Sequence, residues 1–445
     1  MVTVAGVFDF FIGQLYHKNM RIAITSDLYY PMTNGVAVFA HNLAQGLAKQ
    51  GHEVMVLCPS FTGKPHRTRE GRVTTVYLRS IRFPFYPDQI NKVPETRAIL
   101  GMNLPRLAYR YGLWITVDPY PELKKALKRF RPEVIHNQTA EMVAIAAFRY
   151  ARKYQVPMVC TGHAYPDNIT SQLKVLKPIK RPLDAMLRMY MASFLKHAEY
   201  ATMPTEMAIA DLVPKNRKHF QVPVEPLSNG VDLAQFTPGK VPAKIYRKYH
   251  LPSDRPLVLY VGRVDPEKSI GKVVTAFAGV VEKVPMAQLV IVGDGTDRQH
   301  LADLAQALGI SKQVQFLGRV MPPDVIAIYR AAKLFVTASE TETQGIVLIE
   351  AAATGLPLVA VDAGAVRELC QDGFNGILCR PGEILELTDA MVRLLTDETV
   401  WQVYAQNSLE VAKKHDLNRT LRRFVEIYEE AVRLKGAKPR KWWQR

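Results

Sequence analysis

Two carboxylates flank a glycine in the segment SETETQGIVLIEAAATG. Glu342 and Glu350 lie on either side of Gly345, and the apolar run after that glycine predicts the start of a helix. The free amides at a helix start favour anions. Glu350 lies about 7.5 Å beyond Gly345 along a helix axis, at ~1.5 Å per residue. Its leucine, isoleucine and alanine neighbours predict a half-buried carboxylate that must be hydrogen-bonded.

A pair of cations follows another predicted strand, in the segment YVGRVDPEKS. Arg263 and Lys268 come shortly after Gly262. Two fixed positive charges beyond a strand end suit a phosphate group, and a diphosphate above all. The sequence leaves a second interpretation open, in which Arg263 pairs with Asp265 or Glu267 in a solvated loop.

Together the two segments have the chemistry that a nucleotide-sugar requires. Cations and helix amides suit its diphosphate, whereas carboxylates repel phosphates and bind vicinal hydroxyls. The sequence leaves an alternative open for each acid. Glu342 is then an acid at a helix start that gains from the dipole, and Glu350 is a structural, hydrogen-bonded residue.

A third strand end, in the segment IVGDGTD, holds Gly293 and Gly295. Small residues there let a ligand approach backbone N–H groups, although a lone GxG is weak evidence. A dinucleotide-binding fingerprint needs GxGxxG in the first βα turn. The segment TNGVAV after the first predicted strand lacks that spacing, so the sequence disfavours a dehydrogenase.

These motifs lie in a chain whose elements alternate. From residue 20 onward, short apolar runs such as RIAITSD alternate with amphipathic helical patterns, which predicts parallel sheets with helices on both faces. A stretch rich in proline and glycine, around residues 222–256, interrupts the alternation before it restarts. We therefore predict an α/β protein of two doubly wound, Rossmann-like domains that face one another across a cleft. Ligands of such sheets bind beyond the carboxyl ends of the strands.

Nine segments in a fixed order carry a family resemblance. They are NGVAV, TGHA, SNGVD, VGRVDPEKS, IVGDG, VQFLGRV, ETQGIVLIE, AGAVRE and DGFNG. Through them the chain resembles the retaining GT-B glycosyltransferases of family 4, the glycosyl transferases group 1. No single segment is decisive, but the ordered set is highly specific. Many relatives carry a glycine pair in place of Asn34-Gly35 and Gly-Phe in place of Thr343-Gln344. The forms found here look more like the members that glycosylate membrane lipids such as diacylglycerol.

The resemblance implies a role for each candidate residue. Arg263 and Lys268 would hold the donor diphosphate, Glu350 the ribose hydroxyls and Glu342 the hydroxyls of the transferred sugar. His163 would reach that sugar from across the cleft; its alternative is a satisfied structural histidine at a strand end. Glycines and backbone groups complete the implied donor site, namely Gly35, Gly262, Gly293, Gly295, Gln344, Gly345 and Ile346.

The implied chemistry is governed by the leaving group. Cleavage of a glycosidic bond to a nucleoside diphosphate builds negative charge on the β-phosphate, which preorganised cations and helix amides stabilise. The resemblance implies front-face attack by the acceptor with retention, the departing phosphate acting as base. We expect no cofactor and no strict need for a metal, because the sequence holds no DxD-like acidic cluster that demands one.

Composition and pattern set the expected domain organisation. With 445 residues, 48% hydrophobic and 22% charged, the chain is ordinary globular material with room for two or three domains. No apolar stretch approaches a membrane span, and four scattered cysteines favour a reducing compartment. The expected divisions are an N-terminal extension of uncertain status (1–19), an N-terminal acceptor-binding domain (20–228), a C-terminal nucleotide-sugar-binding domain (229–417), a C-terminal helix that packs back on the N-terminal domain (418–434) and a basic aromatic tail (435–445).

The net charge of +17 is unevenly spread. Residues 1–228 hold 30 Lys and Arg against 16 Asp and Glu, and residues 174–200 interleave cations with apolar side chains. An anionic membrane surface is therefore the predicted partner. The predicted membrane-binding residues are Lys174, Lys177, Lys180, Arg181, Arg188, Trp442 and Trp443. A solvated basic helix face with a disordered tail is the alternative, and RNA binding is disfavoured because no recognition-fold signature accompanies the charge.

Two functions stay open from the sequence. The first is a peripheral enzyme on the cytoplasmic face of the membrane that moves a hexose from a nucleotide-sugar, with UDP-glucose as the expected donor, to a lipid such as diacylglycerol. The second is a soluble glycosyltransferase of the same fold with a sugar, polysaccharide or small-molecule acceptor. The sequence leaves the oligomeric state open.

Overall fold

The computed structural model describes residues 19–30, 32, 34–87, 111–163, 180–213 and 220–437. The predictions made for residues 1–18, Lys174, Lys177, Trp442 and Trp443 lie outside the described residues.

The first half of the chain builds an eight-stranded sheet and a separate two-stranded pair. Its strands are β1 (Arg21–Thr25), β2 (Glu53–Pro59), β3 (His66–Glu70), β4 (Val73–Leu78), β5 (Ser80–Pro87), β6 (Tyr111–Thr116), β7 (Val134–Asn137), β8 (Met158–Thr161), β9 (Tyr200–Met203) and β10 (Val224–Pro226). The order in the large sheet is β10-β9-β8-β7-β1-β2-β4-β3, and only its edge pair β3–β4 is antiparallel. Strands β5 and β6 form the separate antiparallel pair.

Helices cover both faces of this first sheet. They are α1 (Gly35–Lys49), α2 (Tyr120–Phe130), α3 (Met142–Tyr154), α4 (Lys180–Lys196) and α5 (Glu206–Leu212). Successive residues of β1 show the two faces, since Ala23 belongs to the core cluster under α3, and Ile22 and Ile24 belong to the one under α1. Burial on both faces explains why the central strands are apolar runs rather than alternating ones.

The second half builds a six-stranded sheet that is parallel throughout. Its strands are β11 (Leu257–Val261), β12 (Gln288–Val292), β13 (Val314–Gly318), β14 (Leu334–Thr337), β15 (Leu358–Val361) and β16 (Gly376–Cys379). Their order is β13-β12-β11-β14-β15-β16. This is the 3-2-1-4-5-6 order of a Rossmann sheet, in which ligands bind where the order reverses, between the first and fourth strands. The prediction of two Rossmann-like halves is confirmed.

Helices also cover both faces of the second sheet. They are α6 (Ala243–Tyr249), α7 (Ile270–Lys283), α8 (Arg298–Ala307), α9 (Asp324–Ala331), α10 (Ile346–Ala353), α11 (Ile384–Thr396), α12 (Glu398–Lys413) and α13 (Leu417–Ala437). All of these helices except α13 pack on the sheet of their own half. Val258 of β11 packs in the cluster that contains α7 and α11, whereas its neighbour Leu259 packs in the cluster that contains α9 and α10.

The last helix, α13, returns to the first sheet. Its side chains Phe424 and Tyr428 are fully buried there, and the Tyr428 hydroxyl lies 2.7 Å from Nδ1 of His136 in β7. Arg423 donates two hydrogen bonds of 2.7 Å to the carboxylate of Glu225 in β10. A bidentate, partly buried pair of this kind fixes the orientation of the helix as well as its position.

We expect Phe424→Ala to destabilise the protein by about 3–5 kcal/mol, because the substitution leaves a cavity between α13 and the first sheet. Urea and thermal unfolding would measure the loss. Phe374→Ala is the matched control, since Phe374 is exposed; its free energy of unfolding should change by less than about 0.5 kcal/mol. Equal losses in the two variants would contradict the packing role of Phe424.

Candidate functional site

The predicted cation and acid of the donor site contact each other. Lys268 ends a short 3-10 turn after β11, and Glu342 lies in the loop after β14. The Lys268 Nζ atom is 2.6 Å from Glu342 Oε1, and the two side chains are only 17% and 16% exposed. Burial alone raises the pKa of the Glu342 carboxyl, but the charge and hydrogen bond of Lys268 outweigh it and hold that pKa below its ordinary value. The site therefore holds a fixed, ionised pair.

The predicted second cation, Arg263, is bound by acids of its own loop. Its guanidinium lies 2.6 Å from Asp265 and makes a short contact with Glu267. These are the pairings that the sequence offered as the alternative to phosphate binding. Asp265 is buried, and it also accepts hydrogen bonds from the amide and hydroxyl of Thr296, at 2.9 and 3.0 Å. The strand-end loops of β11 and β12 are thereby tied together beneath the guanidinium.

The predicted donor-site glycines have a packing reason of their own. Gly293 has φ +136°, and a Cβ atom there would collide with the carbonyl oxygen of Gly262. A Cβ atom at Gly295 would collide with the carbonyl oxygen of Val264. These glycines let the two strand-end loops pack directly on each other. The sequence suggested that small residues are needed here to give a ligand access. The close packing of the two loops is by itself enough to require glycine at both positions.

The start of α10 lies against the first half of the protein. Gly345 precedes the helix with φ +80°, a conformation that favours glycine. A Cβ atom at Gly35, the first residue of α1, would lie 3.8 Å from the Cδ1 atom of Ile346. Three of the predicted donor-site residues thus meet where the two halves face one another. The Gln344 side chain, in contrast, is buried and bonded to the connection between the halves, at Ser228 and Asn229.

Glu350 has the half-buried, hydrogen-bonded carboxylate that its neighbours predict. Its Oε2 atom accepts a 2.8 Å hydrogen bond from the hydroxyl of Tyr329 in α9. Burial raises the pKa of the Glu350 carboxyl to about 7, and the Tyr329 bond lowers it only in part. The sequence analysis did not identify Tyr329. An aromatic residue in the apolar helix DVIAIYRAA is expected in the core, and nothing in the pattern indicates a functional partner.

His163 lies beyond the end of β8, in the first half of the protein. Its Nε2 atom is 2.7 Å from Oε1 of Gln138, and its ring lies 5.1 Å from that of Phe39, centroid to centroid. Burial lowers the pKa of the imidazole to about 3, so the ring is neutral at physiological pH. Gln138 follows β7 and is 1% exposed; its Nε2 atom has no hydrogen-bond partner among the described residues. The position of Gln138 directly after a strand is the feature of the sequence that could have identified it as a candidate site residue.

The predicted membrane-binding cations differ in their surroundings. Arg181 is exposed on α4, whose first residue is Lys180. Arg188, however, forms an ion pair with Asp211 and donates to its backbone carbonyl at 3.2 Å, so its charge is compensated within the protein.

Exposed apolar side chains are the other notable feature of this surface. Helices α3 and α4 pack through Phe148 and Phe194, with ring centroids 5.3 Å apart. Near that contact both helices expose large apolar side chains, of which Met189 is 72% exposed. We call these residues the apolar patch: Met142, Ile145, Met186, Met189 and Tyr190. In the parts of the chain that the structure describes, no helix is both long and apolar enough to cross a membrane. The same parts contain no cluster of three or more His, Cys, Asp or Glu residues suited to a metal.

Comparison with known families agrees with this geometry. The model of the glycosyl transferases group 1 matches residues 243–414, and that of glycosyltransferase family 4 matches residues 33–235. The chain belongs to the family 4 glycosyltransferases. The two matches together include the second sheet, every strand of the first sheet except β1, and the candidate site.

Full-length relatives of this glycosyltransferase carry several different names. The chain is 27% identical to an alpha-monoglucosyldiacylglycerol synthase of Streptococcus pneumoniae, over 87% of this chain and 83% of that protein. It is 26% identical to the enzyme of the same name from Acholeplasma laidlawii, over 89% and 93% of the two chains. It is also 27% identical to a glycogen synthase of Mycobacterium tuberculosis, over 86% and 88%.

Solved structures confirm the GT-B fold of this glycosyltransferase. A sucrose-phosphate synthase from Thermosynechococcus elongatus superimposes with a TM-score of 0.72 at 20% identity, covering 94% of this chain and all of the other. Anabaena Alr3699/HepE, solved in complex with UDP and glucose, gives a TM-score of 0.66 at 18% identity, covering 92% of this chain and all of that one.

The raised pKa of Glu350 predicts a pH-dependent stability. The folded protein holds the proton of this carboxyl up to about pH 7, whereas an exposed glutamate loses it near 4.5. The contribution of Glu350 to stability should therefore be full below pH 4.5 and be lost as the pH rises through 7. We expect the melting temperature of the wild-type protein, relative to Glu350→Gln, to fall between pH 5 and pH 8. Glu410→Gln, a change at an exposed helix position, should show no such trend, and a flat difference for Glu350→Gln would contradict the assignment.

Proposed function

We propose that this glycosyltransferase transfers a hexose, with UDP-glucose as donor, to a membrane lipid such as diacylglycerol. The observation that carries the donor half of the proposal is the Lys268–Glu342 pair beside the start of α10. It combines a cation, a carboxylate and a helix terminus at the point where the order of the second sheet reverses. A diphosphate and a sugar need these three groups next to each other.

In the proposed complex, Lys268 keeps its bond to Glu342 while it binds the diphosphate. An ammonium group has three N–H donors, so one remains on Glu342 Oε1 and the others are available for phosphate oxygens. Glu342 then uses its remaining acceptor capacity for hydroxyls of the transferred sugar. Glu350, in its ionised form, binds the ribose hydroxyls, and the guanidinium of Arg263 binds the phosphates in exchange for Asp265 or Glu267.

The proposed reaction retains the anomeric configuration and requires no metal. The acceptor oxygen attacks the anomeric carbon on the face that the nucleotide leaves, the bond to the β-phosphate oxygen breaks, and the acceptor proton passes to that departing oxygen. Negative charge grows on the phosphate during this step. Lys268 and the amides at the start of α10 are already in place, and Arg263 joins them on exchanging an acid partner for a phosphate oxygen; these groups stabilise that charge more strongly in the transition state than in the ground state. The neutral His163 approaches the sugar from the other half as a hydrogen-bonding group.

The apolar patch supports a lipid acceptor and a peripheral membrane location. It begins at the start of α3, directly after β7, and therefore lies near the carboxyl edge of the first sheet, where His163 also lies. Apolar side chains next to exposed cations suit the interface of an anionic bilayer. Two of the relatives described above are named as diacylglycerol glucosylating enzymes, which favours the same acceptor class. On this proposal the enzyme acts at the cytoplasmic face of the membrane.

A soluble enzyme with a polysaccharide acceptor is the second candidate. It is favoured by the glycogen synthase of Mycobacterium tuberculosis, which is as similar in sequence as the lipid enzymes. The two candidates share the donor site and differ in the use of the apolar patch.

Incubation with diacylglycerol vesicles and a panel of nucleotide-sugars, followed by mass spectrometry of the lipids, would test the proposal. We expect a monohexosyl diacylglycerol with UDP-glucose, formed also in the presence of EDTA. Lys268→Ala and Glu350→Ala should each lower its formation at least about 100-fold, the scale of one lost transition-state contact. Lys272→Ala is the matched control, because Lys272 pairs with Glu340 in the same region but at the surface. Near-normal turnover in Lys268→Ala would refute the donor site, and a glycosylated glycan without any glycolipid would support the second candidate.

The membrane part of the proposal predicts salt-sensitive binding to anionic vesicles. We expect Met186→Gln combined with Met189→Gln to weaken vesicle binding at least tenfold in a sedimentation assay, because two apolar side chains no longer enter the interface. Met286→Gln removes a methionine that is 49% exposed on the second half and should leave binding unchanged. Absence of binding at low salt would refute a membrane-surface role.

A further inference from the structure

Gln344 is a buried amide that makes three side-chain hydrogen bonds to residues outside its own loop. The side chain is 1% exposed. Its Oε1 atom accepts from the amide of Asn229 at 3.0 Å, and its Nε2 atom donates to Ser228 Oγ at 2.7 Å and to the carbonyl of Pro204 at 3.5 Å. Pro204 follows β9 in the first half, and Ser228 and Asn229 belong to the connection between the halves, so a residue next to Gly345 is anchored more than a hundred positions away.

The partner Ser228 is itself the centre of the connection between the halves. Its hydroxyl accepts from the amide of Gly230 at 3.1 Å and from Gln344, and its Oγ atom lies 2.9 Å from Nδ1 of His415. The chain crosses from the first half to the second near Ser228, and it returns to the first half at residues 415–417. The two passages run side by side, with hydrogen bonds of 2.9 and 3.0 Å between Val231 and its neighbours on the second passage. Within the described residues, Gln344 bonds directly to the first crossing segment and is connected to the second through the contact between Ser228 and His415.

The residues around Gln344 have contacts in three further directions. Glu342 bonds Lys268 in the second half, the carbonyl of Thr343 accepts a 3.0 Å bond from the hydroxyl of Thr205 in the first half, and Ile346 lies against Gly35. Five consecutive residues thus join the candidate donor site, both halves and the crossing segments. The geometry of this loop cannot change without a change in at least one of those contacts.

We propose that Gln344 is a positioning residue that couples the donor-binding loop, residues 342–346, to the two crossing segments. Its amide holds the loop in the conformation that receives the nucleotide-sugar only while the crossing segments keep their described arrangement. This inference rests on the proposed function, because it assumes that the loop binds the donor. On this proposal the side chain of Gln344 does not contact the donor, and yet it determines how tightly the protein binds the donor.

Loss of the coupling should appear as a change in donor affinity. Without the Gln344 bonds, the loop populates other conformations. The apparent dissociation constant for the donor is then the intrinsic constant divided by the fraction of molecules whose loop is in the binding conformation. A buried polar group left without its partners corresponds to a factor of roughly ten or more. Once bound, the donor itself holds the loop, so turnover at saturating donor should change much less than affinity.

The experiment compares Gln344→Met with the wild-type protein. Methionine has a similar volume and no amide, so packing is largely kept. We expect the KM for UDP-glucose and the Kd for UDP, measured by calorimetry, to rise about tenfold, while kcat changes less than about twofold. Ser228→Ala should give a similar rise, and the double variant should be no worse than Gln344→Met alone, because both changes remove the same connection.

Gln288→Met is the matched control. Gln288 is also a buried glutamine with a bonded amide, at the start of β12 and thus at the opposite edge of the second sheet. It should lower the melting temperature without any change in donor KM or Kd. If Gln344→Met lowers the melting temperature but leaves both constants unchanged, or if Gln344→Met and Ser228→Ala act additively, the coupling is refuted. If the wild-type protein binds neither UDP nor UDP-glucose, the proposed function fails first and the coupling fails with it.

Discussion

The ion pair between Lys268 and Glu342 determines the layout of the candidate site. Two charges that are mostly withdrawn from water must neutralise one another, so the loops that carry them have to stay together. They can do so because β11 and β14 are neighbours in the sheet although Lys268 and Glu342 are distant in sequence. The order of the sheet reverses at that pair of strands, which opens the space beyond it. The start of α10 comes four residues after Glu342, so this contact also brings a helix terminus beside the cation.

The elements of the fold were predictable because their signals are local. Runs such as PLVLYV and LFVT are short, apolar and followed by helical patterns, and they form strands where the patterns place them. The candidate residues after those strands were predictable for the same reason. Since parallel strands end at a common edge, Arg263, Lys268 and Glu342 had to lie near one another.

The partners of those residues were not predictable, because they depend on contacts between distant segments. Tyr329 reaches Glu350 from a different helix, and Gln344 turns toward Ser228 rather than toward the cleft. No residue spacing in the sequence predicts either of these two contacts. Arg263 shows the opposite case: its acids lie two and four residues away, and the sequence offered that pairing as one of two possibilities. For Gly293 and Gly295 the sequence suggested ligand access on weak evidence, whereas the backbone shows that a Cβ atom at either position would collide with a carbonyl oxygen.

The return of α13 to the first sheet means that the second half is, in topological terms, an insertion. The chain leaves the first half after β10, builds the whole second sheet, and comes back through residues 415–417 to complete the core around Tyr428. The two ends of the inserted unit are adjacent, joined at Val231 and Asp416. A chimera that exchanges donor-binding units between relatives therefore needs two joints rather than one, and both belong at this bridge. A single joint after β10 would carry a foreign helix into the core of the first half.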